Sequence, residues 1–225
     1  MKKELWKTLI FSFSMLVAVT VFMAGCSQPG EDATEQESTS AALDTDAEPY
    51  KIGAILSVTG GASFLGDPEK KTLEMLEKQV NASGGIDGVP IELIIEDDAG
   101  DAAKAKNAAM RLIDKEEVLA ILGPSTSGNS LAIKELATTK EVPLISCAAA
   151  EKIVDPLSPW VFKTPQKDSY VIEHLLGYMQ ENGISKVAML YGNTGFGQNG
   201  LQQLKKYHQK YNVEILHELA YSPKA

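Results

Sequence analysis

The segment Val118-Leu119-Ala120-Ile121-Leu122-Gly123-Pro124-Ser125-Thr126-Ser127-Gly128 decides the fold. Val118–Leu122 is a short apolar run suited to a buried strand, and Gly123-Pro124 ends it. Beyond the loop, Ile133, Leu136 and Ala137 fall at helical spacing, and that helix stops before a second apolar run, Val142–Ser146. Strand, loop, helix and strand in this order make a parallel pair bridged by a helix.

The same unit repeats in both directions. Upstream, Tyr50–Ser57 is a strand, and Asp67-Pro68 reads as an N-cap followed by a first-turn proline. Leu73, Leu76 and Val80 continue that helix to Asn81–Gly85. Asp87-Gly88 is a turn, and Ile91–Glu96 is a second strand. Asp101 caps a helix whose Ala105, Ala108, Ala109 and Leu112 form one apolar face. Downstream, Trp160–Lys163 suits a fifth strand. A second series follows, with a helix carrying Ile172, Leu175, Leu176 and Met179, a strand at Lys186–Tyr191, a helix carrying Leu201, Leu204, His208 and Tyr211, and a last strand at Val213–Ala220. The fold class is therefore α/β, a parallel sheet with helices on both faces. Residues 50–165 form a first lobe and residues 166–225 part of a second, which holds two strands and looks cut short. In such sheets ligands sit beyond the carboxyl ends of the strands.

Charge is unevenly spread. The 225 residues carry a formal net charge of −9, with 44% hydrophobic and 23% charged residues. Residues 1–25 hold +2, residues 26–49 hold −7 without a single base, and the body holds −4. A mildly acidic body without a basic stripe argues against a nucleic-acid partner.

The N-terminus reads as an export signal. Lys2, Lys3 and Lys7 lead into an apolar run from Leu9 to Ala24, which ends Met23-Ala24-Gly25-Cys26. The run is short for a transmembrane anchor. Small residues before a cysteine resemble the lipobox of bacterial lipoproteins. That resemblance implies cleavage after residue 25, a lipid on Cys26, and a mature protein held outside the cytoplasm. Residues 26–49 read as an acidic, disordered tether. With Cys26 assigned to lipid, no disulfide to Cys147 is expected.

The loops offer limited chemistry. Gly123–Gly128 follows a strand and opens a helix, so free N–H groups, the helix dipole and the hydroxyls of Ser125, Thr126 and Ser127 suit a small anion. A plain helix cap and turn fits the same residues. The loop lacks the Gly-Lys-Ser/Thr of a Walker loop, and its spacing is not that of a nucleophile elbow. Gly195-Phe196-Gly197-Gln198-Asn199-Gly200 matches the dinucleotide spacing Gly-x-Gly-x-x-Gly, with Glu218 about 20 residues on. Against it, Gly192-Asn193-Thr194 intervenes after the strand, and Phe196 stands where a pyrophosphate would approach. Asp97-Asp98 reads as a turn-forming pair capping the next helix. Cys147 reads as a small buried residue or part of a pocket wall, Trp160 and Tyr178 as packing, and His174, His208 and His217 as surface or core-edge residues. No metal site, cofactor or catalytic constellation is expected.

Tyr50-Lys51-Ile52-Gly53, Thr59–Gly66, Gly84-Gly85-Ile86-Asp87-Gly88, Glu96–Asp101, Ile121–Ser125 and Gly195-Phe196-Gly197 occur in order. Together they resemble the branched-chain amino acid (Leu/Ile/Val) binding proteins of ABC transporters, the periplasmic binding proteins of fold type I. The resemblance runs from Tyr50 to the end. It implies two Rossmann-like lobes that close on one small ligand and deliver it to a membrane permease, the protein acting as a monomer without catalysis. It places the ligand's carboxylate at Gly123–Gly128, with Thr126 and Ser127 in contact, and backbone groups of Ala148, Ala149 and Ala150 beside it. Phe196 would cover the ligand from the second lobe, and Leu65 would touch its apolar part. Ala150 departs from the pattern, because amino-acid binders commonly carry a hydroxyl there that helps hold the ammonium. An aliphatic or aromatic carboxylate, or an amide, is therefore nearly as good a fit. A sensor domain of a receptor shares this fold, and a dinucleotide-dependent oxidoreductase is the remaining alternative.

Overall fold

The computed structural model describes residues 43–44 and 46–223. The segment read as an export signal, Cys26 and nearly all of the segment read as a tether lie outside the described residues. Among the described residues no helix is long and apolar enough to cross a membrane.

The elements are β1 (Tyr50–Leu56), α1 (Ser63–Ala82), β2 (Ile91–Asp97), α2 (Ala102–Asp114), β3 (Ile121–Leu122), α3 (Ser127–Lys140), β4 (Leu144–Ser146) and β5 (Val161–Lys163), then α4 (Asp168–Glu181), β6 (Lys186–Gly192), α5 (Gly195–Tyr207) and β7 (Glu214–Tyr221). A 3-10 turn, Glu151–Ile153, follows β4, and a second, His208–Tyr211, follows α5. The first sheet has five parallel strands in the order β2-β1-β3-β4-β5, and the second has two, β6-β7, also parallel. The α/β class with parallel sheets is thus as the sequence predicts.

The core of the first sheet follows from its apolar runs. Ala54, Ile55 and Leu56 of β1 are fully buried, as expected for a central strand covered on both faces. Ala105, Ala108, Ala109 and Leu112 form the buried face of α2, whose start is held by the Asp101 carboxylate accepting from the N–H groups of Ala103 and Lys104. Ile133 and Ala137 of α3 join them with Ile121, Leu144, Ile153 and Val161. Each such Ile or Leu contributes roughly 1.5–3 kcal/mol by burial.

Strands β1, β2, β5 and β6 differ from the sequence reading by one residue at one end, and other elements differ in ways that have a physical reason. Helix α1 begins at Ser63, a turn before Asp67-Pro68. Its first turn closes on Gly60 and Ala62 carbonyls, so Pro68 lies inside the helix and Asp67 pairs with Lys71 at 2.6 Å instead of capping. Strand β3 is regular only at Ile121–Leu122, although the N–H of Leu119 already donates to the Lys51 carbonyl. Strand β4 starts after Pro143, which has no N–H to give the ladder. Strand β7 runs one residue later than expected at each end.

The second sheet is covered on one face. Leu176 of α4, Leu204 of α5 and Val213 are buried together, with Val187, Met189 and Ile215 against them. Leu190 and Leu219 are register partners on the opposite face, and they are 67% and 58% exposed. Tyr178, expected in packing, is exposed, as are Val171 and Leu175 of the same helix.

Candidate functional site

Strand β1 lies between β2 and β3, so the chain leaves it on one side and returns on the other. In open parallel sheets ligands sit beyond the strand ends at such a switch point, so the loops after β1 and β3 are the ones to follow. Gly123 turns there with φ +93°, and the Ile55 carbonyl fills the space a Cβ would need. The turn carries Pro124–Thr126 across the end of β1. The Ser57 N–H donates to Ser125 Oγ at 3.0 Å, and the Ser125 hydroxyl donates to the Glu69 carboxylate on α1.

Asp98 anchors this junction from below. It is fully buried, and it accepts from Ser57 Oγ at 2.6 Å, Asn129 Nδ2 at 2.7 Å and the Gly100 N–H at 2.8 Å. One carboxylate therefore joins β1, the loop after β2 and the first turn of α3. Asp97 does the same at the rim, accepting from Thr59 Oγ1 at 2.5 Å and the Ala99 N–H at 2.9 Å. Capping of α2 belongs to Asp101, so the acidic pair is a loop tie and not the cap the sequence suggested. Nothing in a single acidic dipeptide distinguishes the two roles.

The loops expected to meet a ligand are held in place by their own polar groups. Ser127 is 3% exposed, and its Oγ accepts from the Ala150 N–H at 3.2 Å. Thr126 stands at the N-cap of α3 with extended backbone, but its side chain makes no capping bond. The first turn of α3 therefore presents amides and the positive end of its dipole. Ser146 Oγ pairs with Ser130 Oγ at 2.7 Å and accepts from the Ala148 N–H at 3.1 Å. Lys163 Nζ donates to the Ala149 carbonyl and to that of Gln166. Ala148 and Ala150 are buried, while Ala149 is half-buried.

Two of the predicted residues meet across the sheets. Ala149 from the first and Phe196 from the second line one crevice of about 490 Å³, together with Pro165, Ile172, Met189 and Tyr191. Phe196 is 58% exposed and Leu65 is 36% exposed, so both apolar side chains are open to solvent. Leu65, Thr126, Ser127, Ala148 and Ala150 do not line that crevice.

The sequence reading missed a charged group at the crossing between the sheets. The Glu151 carboxylate, buried, accepts from the Ser169 N–H at 3.1 Å, at the start of α4. Asp168 is buried beside it and accepts from Asn199 Nδ2. Burial pushes the Asp168 carboxyl up, opposed by the Asn199 hydrogen bond and the Lys163 charge. Burial likewise pulls the Lys163 ammonium down, opposed by Asp168 and Glu151. Asn199 Oδ1 and Gln203 Oε1, one turn apart on α5, are buried without a hydrogen-bond partner. No local pattern announces such a cluster, since Glu151, Asp168 and Asn199 come from three separate elements, 17 and 31 residues apart in sequence.

Cys147 is half-buried, and its thiol is pushed up to about 11 by burial and by the Glu69 charge, so it is a poor nucleophile. Among the described residues no group of three His, Cys, Asp or Glu side chains is placed to hold a metal.

The family model described as periplasmic binding protein matches residues 49–225. Glutamate receptor 2.5 of Arabidopsis thaliana is 28% identical over 179 residues, 79% of this chain and 19% of that protein. Two solved structures share 27% identity with it. One is the solute-binding protein of an ABC transporter from Rhodopseudomonas palustris in complex with 3,4-dihydroxybenzoic acid, with a TM-score of 0.69 over 77% of this chain and 47% of the other. The second is the branched-chain amino acid transporter substrate-binding protein LivJ from Streptococcus pneumoniae in complex with isoleucine, with a TM-score of 0.68 over 78% of this chain and 50% of the other. The chain spans about half the length of these structures.

Proposed function

The chain belongs to the periplasmic binding protein family, and from that premise we propose that it is an extracytoplasmic solute-binding protein serving an ABC importer. Residues 50–165 and 166–225 act as its two lobes, and a small ligand shifts the population toward the closed arrangement by binding it better. The solute is an amino acid, or a related aliphatic or aromatic carboxylate or amide. Its polar end meets the first turn of α3 at Thr126 and Ser127, backbone groups of Ala148, Ala149 and Ala150 flank it, and Phe196 and Leu65 cover its apolar part. A lipid on Cys26 holds the monomer at the membrane face, where a permease receives the solute.

The observation that carries this reading is the Ser127 hydroxyl. Because Oγ accepts from the Ala150 N–H, its own proton takes no part in that bond and is the one we assign to a solute carboxylate. A donor hydroxyl at an uncapped helix start suits a carboxylate. The two solved relatives hold isoleucine and 3,4-dihydroxybenzoic acid, which share a carboxylate and differ in everything else. The absence of a hydroxyl at Ala150 leaves the site less committed to an ammonium than to the acid group.

A thermal-shift and native mass spectrometry screen tests this. Isoleucine, 3,4-dihydroxybenzoate and their primary amides are compared with decarboxylated analogues. The reading expects at least one carboxylate or amide to bind with 1:1 stoichiometry and the decarboxylated analogues to be silent. Equal binding by the decarboxylated analogues would contradict it.

Likeness to a plant glutamate receptor over 79% of the chain favours one second reading, a ligand-sensing domain. It uses the same crevice, and co-purification with a signalling subunit in place of a permease would select it.

A further inference from the structure

The motif Gly195-Phe196-Gly197-Gln198-Asn199-Gly200 has dinucleotide spacing but no role in the solute-binding reading beyond Phe196. What surrounds each glycine shows what the spacing accommodates. A Cβ at Gly197 would overlap the Gly192 carbonyl, so that glycine lets α5 lie against the end of β6. A Cβ at Gly200 would meet only the methyl carbon of Met189, at an ordinary 3.8 Å. Gly195 is different, because its neighbours belong to the other sheet. A Cβ there would stand 2.7 Å from the Gly128 nitrogen, 2.9 Å from the Gly128 Cα and 3.1 Å from the Ser127 carbonyl carbon. All three are backbone atoms and cannot swing aside. The start of α5 therefore rests directly on the start of α3.

We propose that Gly195 is a clearance residue, a positioning residue whose missing side chain sets how closely the second sheet approaches the Ser127 turn. The proposal rests on the solute-binding reading for its functional meaning. Any side chain at 195 moves the contact from 2.7 Å out to the 3.4 Å or more of ordinary packing. Phe196 is attached to the next Cα and moves with it. A solute that needs the α3 amides on one side and the Phe196 ring on the other then loses one of the two. Gly195 has no positive φ, and alanine favours helix over glycine, so the substitution carries no local backbone penalty. Only the distance between the sheets is at stake.

The test compares Gly195→Ala with Gly200→Ala in the full chain. Amide exchange at Gly128 and Asn129 is read by NMR without solute, thermal midpoints are recorded, and affinity is measured by calorimetry with isoleucine and with 3,4-dihydroxybenzoate as probes. The expected result for Gly195→Ala is exchange at Gly128 at least tenfold faster, affinity for whichever probe binds at least tenfold weaker, and a midpoint within about two degrees of the parent. Gly200→Ala stays within twofold in exchange at Gly128; its affinity is not compared, because Gly200 itself lines the crevice. Unchanged Gly128 exchange in a folded Gly195→Ala protein would overturn the proposal. A Gly195→Ala midpoint more than five degrees below that of Gly200→Ala would overturn it too, by making Gly195 a folding residue. If neither probe binds the parent, the solute assignment suffers while the exchange readout still decides the role of Gly195.

Discussion

Ser127 Oγ accepts the N–H of Ala150 across 3.2 Å, joining the first turn of α3 to the loop after β4. Both residues are almost fully buried. The bond uses a lone pair of Oγ and leaves the Ser127 proton out of that contact. In the proposed function the same hydroxyl ties the two loops and donates to the solute.

Replacing Ser127 with Ala tests both halves of that statement. The Ala150 N–H would be left buried without an acceptor, which costs roughly 1–3 kcal/mol of stability. Affinity for a carboxylate solute should fall by about 10–100-fold from the lost charge-assisted bond. Urea unfolding and calorimetry read the two effects separately, and Ser127→Thr should recover part of each. Parent-like values in both measurements would remove Ser127 from the site.

Asp98 carries more of the architecture. Asp98→Ala leaves Ser57 Oγ, Asn129 Nδ2 and the Gly100 N–H without their acceptor in a buried setting. The expected loss is about 3 kcal/mol or more, because each orphaned donor costs roughly 1–3 kcal/mol. A denaturant midpoint corresponding to less than 1 kcal/mol would mean the loops are held by something else.

The glycine motif makes a further contrast. Gly197→Ala should destabilise the protein by roughly 1–3 kcal/mol, the usual cost of overpacking, because the added methyl meets the Gly192 carbonyl. Gly200→Ala should be neutral or stabilising by up to about 1 kcal/mol through helix propensity. NAD should leave the melting curve unmoved, and a dose-dependent shift with NAD would restore the dinucleotide interpretation.

Glu69 predicts a pH dependence. Burial raises its carboxyl above the ordinary 4.5, the Ser125 hydrogen bond opposes this, and the Asp98 charge adds to the rise. The folded protein therefore keeps this proton to higher pH than the unfolded chain does. The penalty for ionising Glu69 is absent below about pH 4.5 and appears as pH rises through the folded-state value. Glu69→Gln keeps an acceptor for Ser125 and has no such penalty. Its stability relative to the parent should improve between pH 4 and pH 7, measured by urea unfolding at both. A relative stability that falls over this interval would reverse the assigned sign.

Much of the fold was legible because apolar periodicity speaks within one element. The Ala105–Leu112 face, the buried run of β1 and the alternation of strand and helix needed no long-range information. The start of α1 was misplaced because Asp67-Pro68 carries the local signature of a helix start, while the bonds that begin the helix come from Gly60 and Ala62. The loops that carry the proposed site were legible as loops between a strand and a helix, at Gly123–Gly128 and at the alanines after β4. It was illegible where partners meet across the fold. Asp98 finds Asn129 31 residues on, and Gly195 rests on Gly128 although 67 residues separate them. Nor does any local pattern tell an acidic pair that ties loops from one that caps a helix.

The central claim is that a solute's acid end meets the start of α3 while the second sheet covers it. An NMR titration of the full chain with the tightest solute from the thermal screen tests it most directly. The account predicts that the amide signals of Ser127, Gly128, Ala149 and Phe196 shift together with one saturation constant. Shifts that saturate elsewhere and leave the Ser127 and Gly128 amides unmoved would contradict it.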